Sequence, residues 1–344
     1  MPPKARRAVI ALGGNALLGS SGEGHIDELV AAAMVAAESV VMLLCNGWSV
    51  VMVHGNGPQV GVELLRSEEA STKVPPFGLD LCVASTQGTM ATLLEMAIRN
   101  CIHGKNIENG HVVSVVSLAV IDPNDPAFAR PSKPIGLFYS RYRANQLKGE
   151  LKAKGWDIRE DSGRGWRPVV PSPAPQELLS MAACERLLDA GFTVLAGGGG
   201  GVPVVRDSEG QLKGIEAVID KDRTAGLIAR KLQCELLIFL TPVSGVDLNY
   251  GTTFAKRLRA ITTEQASQYL TQGHFAPGSM GPKIQAAVLF AQEGGTVLIT
   301  SPSRLRSAMA GHEGTRIKGG KPSESAGQAV PSLLVEDESL EEDS

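Results

Sequence analysis

Apolar positions along this chain fall into two kinds of run. Long stretches with helical spacing, such as IDELVAAAMVAAESVVMLLCN from Ile26 to Asn46, alternate with short blocks rich in β-branched residues, and a glycine commonly stands between them. In MLLCNGWSVVMVHGNG, Gly47 takes the place of a helix C′ residue ahead of a strand over 49–53. LLDAGFTVLAGGGG repeats the arrangement with Gly191 and a strand over 193–196, and LFAQEGGTVLITSPS repeats it with Gly294, Gly295 and a strand over 296–300. Glycine accepts the left-handed backbone that ends helices, so each case reads as a helix feeding a strand. Further strands are predicted over 8–12, 112–121 and 235–240. Most of these blocks are continuously apolar, as strands covered on both faces should be. The fold class that follows is α/β: an open, mostly parallel sheet with helices on both sides.

Two regions leave this rhythm. Prolines crowd the chain from Asp122 to Pro175, which predicts a protruding subdomain of irregular structure. Residues 318–344 are polar and end in an acidic cluster, so they are expected to be a disordered, solvating tail. At 344 residues, 43% hydrophobic and 20% charged, the chain has material for a large core, and a net charge of −3 provides no basic footprint for nucleic acid. Asp27, Glu28 and Glu38 interrupt the most apolar helix, which reads as buried rather than membrane-spanning. The opening MPPKARRAVIAL runs straight into a strand, so no signal peptide is expected. Five scattered cysteines without a CxxC pair suit reduced thiols and a cytoplasmic protein, and the six scattered histidines form no metal motif.

Glycine loops follow three of the strands: Gly13, Gly14 and Asn15; Gly55, Asn56 and Gly57; and Gly197 to Gly201. Ligands of open α/β sheets sit beyond the carboxyl ends of the strands, where bare backbone N–H groups near helix starts receive anionic oxygens. Five consecutive glycines are costly in entropy, which points to backbone packed where no side chain fits. Neither a GxxxxGK[ST] loop nor a placed GxGxxG is present. Lys133, Lys221 and Lys283 lie at loop or helix starts beside proline, glycine or acidic residues, suited to neutralising charge in phosphoryl transfer. Asp220 and Asp222 flank Lys221 and either cap the helix that follows or orient lysines; both can hold together.

The pieces ALGGNALL, HGNGPQVG, LCVASTQG, IDPNDPAFARPSKPIGLFYS, DSGRGWRPVVPSP, GGGGGVPVV, GIEAVIDKD, HFAPGSMGPK and EGTRI resemble, in order and over about residues 7 to 317, the carbamate kinases of the amino-acid kinase fold. The resemblance implies a three-layer αβα sandwich on about eight strands. It divides the chain into a phosphoryl-acceptor lobe over 1–205, with the proline-rich subdomain at 122–175, a nucleotide lobe over 206–317 and the tail at 318–344. It implies reversible transfer between ATP plus carbamate and ADP plus carbamoyl phosphate, often running toward ATP, with magnesium carried by the nucleotide rather than by the protein, and a homodimer. By motif position, Gly13, Gly14, Asn15, Gly55, Asn56, Gly57, Gly198 and Gly199 would hold the phosphoryl group and acceptor. Lys133 would reach the acceptor, Lys221 and Lys283 the nucleotide phosphates, and Asp222 would orient the lysines. Thr241, Val243, Val246, Ala276, Pro277, Gly278, Ser279 and Met280 would line the nucleotide site.

Several positions depart from the family pattern: Leu118, Ala119, Pro168, Ala174, Arg223, Ala225, Pro242 and Asp247. Leu118, Ala119 and Ala174 bear on the acceptor, and Asp247 on adenine packing. They keep open a same-fold kinase for another small acid or phosphonate, or a silent nucleotide-binding subunit. The retained lysines favour an active enzyme. His54 reads as a hydrogen-bonded structural residue, Met90 and Met280 as packing, Trp156 and Trp166 as staples of the proline-rich segment, and Cys82 and Cys101 as helix-packing thiols. Arg130, Arg141 and Arg143 read as mostly solvated, though one could attract an anionic substrate.

Overall fold

A computed structural model describes residues 6–18, 25–107, 110–161, 163–276, 278–319 and 332–334. Among these, the main sheet has eight strands in the order Ala260–Thr262, Thr315–Lys318, Thr296–Thr300, Leu236–Leu240, Arg6–Leu12, Trp48–His54, Phe192–Leu195 and His111–Ser114. Every neighbouring pair is parallel except Thr296–Thr300 with Thr315–Lys318. The continuous apolar strands divide residue by residue between two cores. Val9, Ala11, Val51, Val53, Leu237 and Phe239 face one side, against helices Lys221–Lys231 and Met280–Gln292. Ala8, Ile10, Leu12, Val50, Met52 and Ile238 face the other, against helices Ile26–Cys45 and Leu79–Gly104. This is the three-layer sandwich that the hydrophobic pattern requires. Helix Ile26–Cys45 is long and apolar enough to cross a membrane, yet its Ala33, Ala36, Ala37, Val40, Val41 and Leu43 are spent on this core.

The apolar block 112–121 is two strands rather than one. His111–Ser114 closes one edge of the main sheet, whereas Leu118–Ile121 joins a separate four-stranded sheet with Val202–Arg206, Leu212–Gly214 and Pro175–Leu178. The break is at Ser117, where the buried Gln87 side chain accepts from the Ser117 N–H at 2.9 Å and donates to its carbonyl at 3.1 Å. A side-chain amide from a helix residue 30 positions away takes the Ser117 N–H, while the Ser117 carbonyl also accepts from the Val202 N–H at 2.8 Å, which hands the chain over to the second sheet.

The proline-rich region is also more regular than its composition suggests. Lys133–Pro134, Trp166–Val170 and Asp157–Glu160 form an antiparallel three-stranded sheet, and Arg141–Ala153 is a helix capped by the Ser140 hydroxyl. Trp156, Leu151, Ile158 and Ile135 bury a small core of their own with Val60, Leu64 and Val83 from the main body. Trp156 and Trp166 therefore do staple this segment. Most of the acidic tail lies outside the described residues. Within it, Ser332–Leu334 departs from the expected disorder: Leu333 donates its N–H to the Met309 carbonyl at 2.7 Å, and Leu333 and Leu334 pack on the second core.

The small subdomain is held against helix Gly57–Glu69 by two glycines. Gly136 donates its N–H to the Gly57 carbonyl at 2.9 Å, and a Cβ placed on Gly61 would lie 2.2 Å from the Gly136 backbone. Helix propensity alone favours Gly61→Ala by roughly 1 kcal/mol. The backbone contact outweighs that gain, because a 2.2 Å approach forces the subdomain away. Gly61→Ala is expected to lower the melting temperature; an unchanged or raised value contradicts this account of the contact.

Candidate active site

The carboxyl ends of four central strands open on one cleft of about 380 Å³. Gly13 and Gly14 follow Arg6–Leu12, Gly55 and Asn56 follow Trp48–His54, Gly199 stands beyond Phe192–Leu195, and Thr241 to Val243 follow Leu236–Leu240. The first two loops interlock so closely that side chains are excluded. A Cβ on Gly55 would come 2.7 Å from the Gly14 nitrogen and 2.8 Å from the Lys221 side chain, and a Cβ on Gly14 would come 3.2 Å from the Asn56 and Gly57 nitrogens. Backbone N–H groups are thereby gathered at one point. The helix that starts at Gly57 adds the positive end of its dipole.

Facing this cradle is a network of lysines and carboxylates. The Asp222 carboxylate, 1% exposed, accepts from Lys221 Nζ through Oδ1 at 2.9 Å and from Lys283 Nζ through Oδ2 at 3.0 Å. Asp220 caps helix Lys221–Lys231 by accepting from the Asp222 N–H at 2.9 Å through Oδ1, and its Oδ2 accepts from Lys133 Nζ at 2.5 Å. Capping and lysine orientation are thus both realised, by neighbouring carboxylates. Burial pushes the Asp220 carboxyl up, but Lys133 and Lys221 overcome it and hold the group well below the usual carboxylate range. Burial likewise pulls the Lys221 ammonium down, and Asp222 and Asp220 more than reverse this. For Lys283 burial prevails over Asp222, and its pKa falls. Three ammonium groups against two carboxylates leave a positive excess beside the cradle, in a position to meet an anionic group.

The structure gathers most of the expected residues on this one cleft: Gly13, Gly14, Gly55, Asn56, Gly57, Gly199, Lys133, Lys221, Asp222, Lys283, Thr241, Val243, Ala276, Gly278, Ser279 and Met280. Two expected residues stand elsewhere. Gly198 is pressed against His54 and Gln87 and lines a separate cavity beside helix Leu79–Gly104. Val246 is fully buried, its N–H given to Thr315 Oγ1 at 2.8 Å, and its strand turns it into the core. Pro277 and the side chain of Asn15 lie outside the described residues. The five consecutive glycines do not share one surface. Only Gly199 reaches the cleft; Gly200 (φ +92°) passes so near the Ile219 carbonyl that a Cβ would lie 2.3 Å from its oxygen, and Gly201 packs over Ala119.

Other lining residues were assigned no site role from the sequence, although several lie within the DSGRGWRPVVPSP and HFAPGSMGPK pieces. Asp161, Arg164 and Arg167 enter from the small subdomain, and Pro242, Gly245, Asp247, Tyr250, His274 and Phe275 from the opposite wall. The RGW segment was a visible signal for the arginines; only the three-stranded sheet turns them inward. Of the family departures, Leu118, Ala119, Ala174, Arg223 and Ala225 do not line the cleft. Leu118 and Ala119 pair with Val202 and Pro203, Ala174 donates its N–H to Asp125, and Arg223 donates to the Ser172 carbonyl. Asp247 does line it, but both of its oxygens accept from Arg257, at 2.6 and 3.2 Å.

His54 is enclosed beneath the glycine loops, 2% exposed, its Nδ1 3.2 Å from the Gly55 carbonyl oxygen. Burial pushes its pKa down to about 4, against the pull of that carbonyl. The unfolded chain protonates this histidine near its ordinary value of about 6.5, so between those limits the unfolded state binds a proton that the folded state refuses. Stability is therefore fully present above the upper limit and falls as pH drops toward the lower one. Between pH 7.5 and pH 5 the expected loss is about 2 kcal/mol. Denaturant titrations at the two pH values should show this loss to be larger in the wild type than in His54→Gln; equal losses contradict the assignment.

Comparison with known proteins agrees with this geometry. The model of the amino acid kinase family matches residues 6–301. A carbamate kinase of Pyrococcus horikoshii is 40% identical over 314 residues, 90% of this chain and 98% of that protein. Carbamate kinase from Giardia lamblia bound to citric acid superimposes with a TM-score of 0.85 at 36% identity, covering 92% of this chain and 99% of that one. The same enzyme bound to AMP-PNP gives a TM-score of 0.82 at 37% identity, with the same coverage.

Proposed function

We infer the reaction from one premise: the chain belongs to the amino acid kinase family, and within it to the carbamate kinases. Its activity is reversible phosphoryl transfer between ATP plus carbamate and ADP plus carbamoyl phosphate, and we propose that it works toward ATP. The observation that carries this reading is the meeting, in one cleft, of the two interlocked glycine loops with three lysines held on two buried carboxylates. Phosphoryl transfer asks a protein mainly to position the reactants and stabilise charge on the moving group. In this reading the backbone N–H groups of 13–14 and 56–57 hold the transferred phosphoryl group, while the Gly55 N–H, given to the Leu12 carbonyl at 2.8 Å, fixes the loop. Lys133 lies toward the acceptor, while Lys221 and Lys283, kept apart by Asp222, compensate charge as the bond to the nucleotide breaks or forms. Thr241, Val243, Ala276, Gly278, Ser279 and Met280 supply the nucleotide wall.

Among the described residues, no group of three or more His, Cys, Asp or Glu side chains could hold a metal ion. Asp220 and Asp222 are each occupied by lysines. That donor set fits magnesium carried on the nucleotide phosphates, where it would supply further charge neutralisation, and not a metal caged by the protein. A homodimer is supported by the exposed apolar Met96 and Val116, which line one depression with Ser114 of the edge strand His111–Ser114. The five cysteines are all free, which supports a reducing, cytoplasmic setting. The acceptor alternatives lose their footing, since Leu118, Ala119 and Ala174 stand away from the cleft.

Purified protein given ADP, magnesium and carbamoyl phosphate is expected to form ATP well above a blank without enzyme; none from folded, ADP-binding protein defeats the reading. Lys221→Ala and Lys283→Ala should each lower turnover by about two orders of magnitude or more. Near-native turnover in both variants would remove the roles given to them.

A further inference from the structure

Arg167 is 3% exposed, and its guanidinium is only partly used. Nη1 donates to Asp161 Oδ2 at 3.0 Å, an oxygen shared with Arg164, while Nε and Nη2 are sealed from solvent without a hydrogen-bond partner. The guanidinium lies 5.1 Å from the centre of the Phe138 ring. Burial lowers the arginine's pKa, against the pull of Asp161, so the strain of the site is that of a charge short of partners. Buried N–H groups left unpaired cost on the order of 1–3 kcal/mol, more when charged. A protein carries such a cost where something other than its own chain supplies the acceptor.

The position says what that acceptor is. Arg167 lines the cleft from strand Trp166–Val170, whose Val170 pairs with Lys133 on the adjoining strand. Its Nη2 lies 4.0 Å from where a Cβ on Gly57 would stand, so the free edge meets the first turn of helix Gly57–Glu69. First-turn N–H groups of a helix also lack intrahelical partners, so an anion entering here would be met from two sides. Nε and Nη2 form the side edge of the guanidinium, two parallel donors whose spacing matches the two oxygens of a carboxylate. The lysines, by contrast, are point charges suited to phosphoryl oxygens.

We propose that Arg167 is a specificity-determining residue that binds the carboxylate edge of the phosphoryl acceptor side-on through Nε and Nη2, with Asp161 fixing the guanidinium from behind. This rests on the kinase reading above.

The test compares two unreactive probes in the presence of magnesium and ADP: phosphonoacetate, which carries a carboxylate, and methylphosphonate, which does not. By titration calorimetry the wild type should prefer phosphonoacetate. Arg167→Ala should weaken it by about tenfold or more while changing methylphosphonate by less than about twofold. Added guanidine should restore the lost binding, an effect that a merely structural role would not show. Arg167→Lys keeps the charge and serves if the alanine variant folds poorly; a single donor should recover part of the preference. Equal losses for both probes, or no preference in the wild type, overturn the proposal. Failure of the wild type to make ATP from carbamoyl phosphate would strike the kinase reading instead, and a lost phosphonoacetate preference in Arg167→Ala would then still mark a carboxylate clamp for a different acid.

Discussion

Two lysines on one buried carboxylate are the constraint around which this cleft is arranged. Like charges close together in a poorly solvated site repel strongly, and neither Lys221 nor Lys283 could be kept buried without Asp222 between them. Asp222 is itself fixed by the backbone, because it occupies the first turn of a helix whose cap, Asp220, holds its N–H and also anchors Lys133. One short segment, Asp220 to Asp222, therefore sets the positions of all three lysines. The helix start is the shared frame.

The rest of the architecture brings the backbone to that frame. Parallel strands end together at one edge of the sheet, and the loops after Arg6–Leu12 and Trp48–His54 can interlock only without side chains. The Lys221 stem then passes so close to Gly55 that a Cβ would lie 2.8 Å from it, which ties the start of helix Lys221–Lys231 to the loop after Trp48–His54. Gly61 and Gly136 perform the same service for the small subdomain, setting Lys133 and Arg167 over the start of helix Gly57–Glu69. Close approach, rather than flexibility, explains these glycines.

What was legible in the sequence follows from which forces are local. Helix-to-strand punctuation by Gly47, Gly191 and Gly294 and the continuous apolar strands located the main sheet, because those signals depend on neighbouring residues. The lysines and Asp222 were found through motifs and confirmed as one cluster by their distances. The split at Ser117 was hidden, since Gln87, the cause of it, lies on another helix. The regular sheet of the proline-rich segment was hidden for a similar reason: its core is completed by Val60, Leu64 and Val83 from the main body. Gly198 and Val246 were misplaced because the neighbours of a cleft residue can turn inward at each step of a turn or strand. Arg167 stood in the DSGRGWRPVVPSP piece without an assigned role; its meaning comes from two nitrogens left without partners.

The account stands most directly on the bridging carboxylate, and the turnover of Asp222→Asn with carbamoyl phosphate and ADP tests it. The substitution preserves shape but presents an amide donor to one lysine and removes the charge that holds both. The expected result is a fall in kcat of about a hundredfold or more, with ADP still bound by folded protein. Turnover close to that of the wild type would contradict the claim that Asp222 holds the two lysines for the reaction.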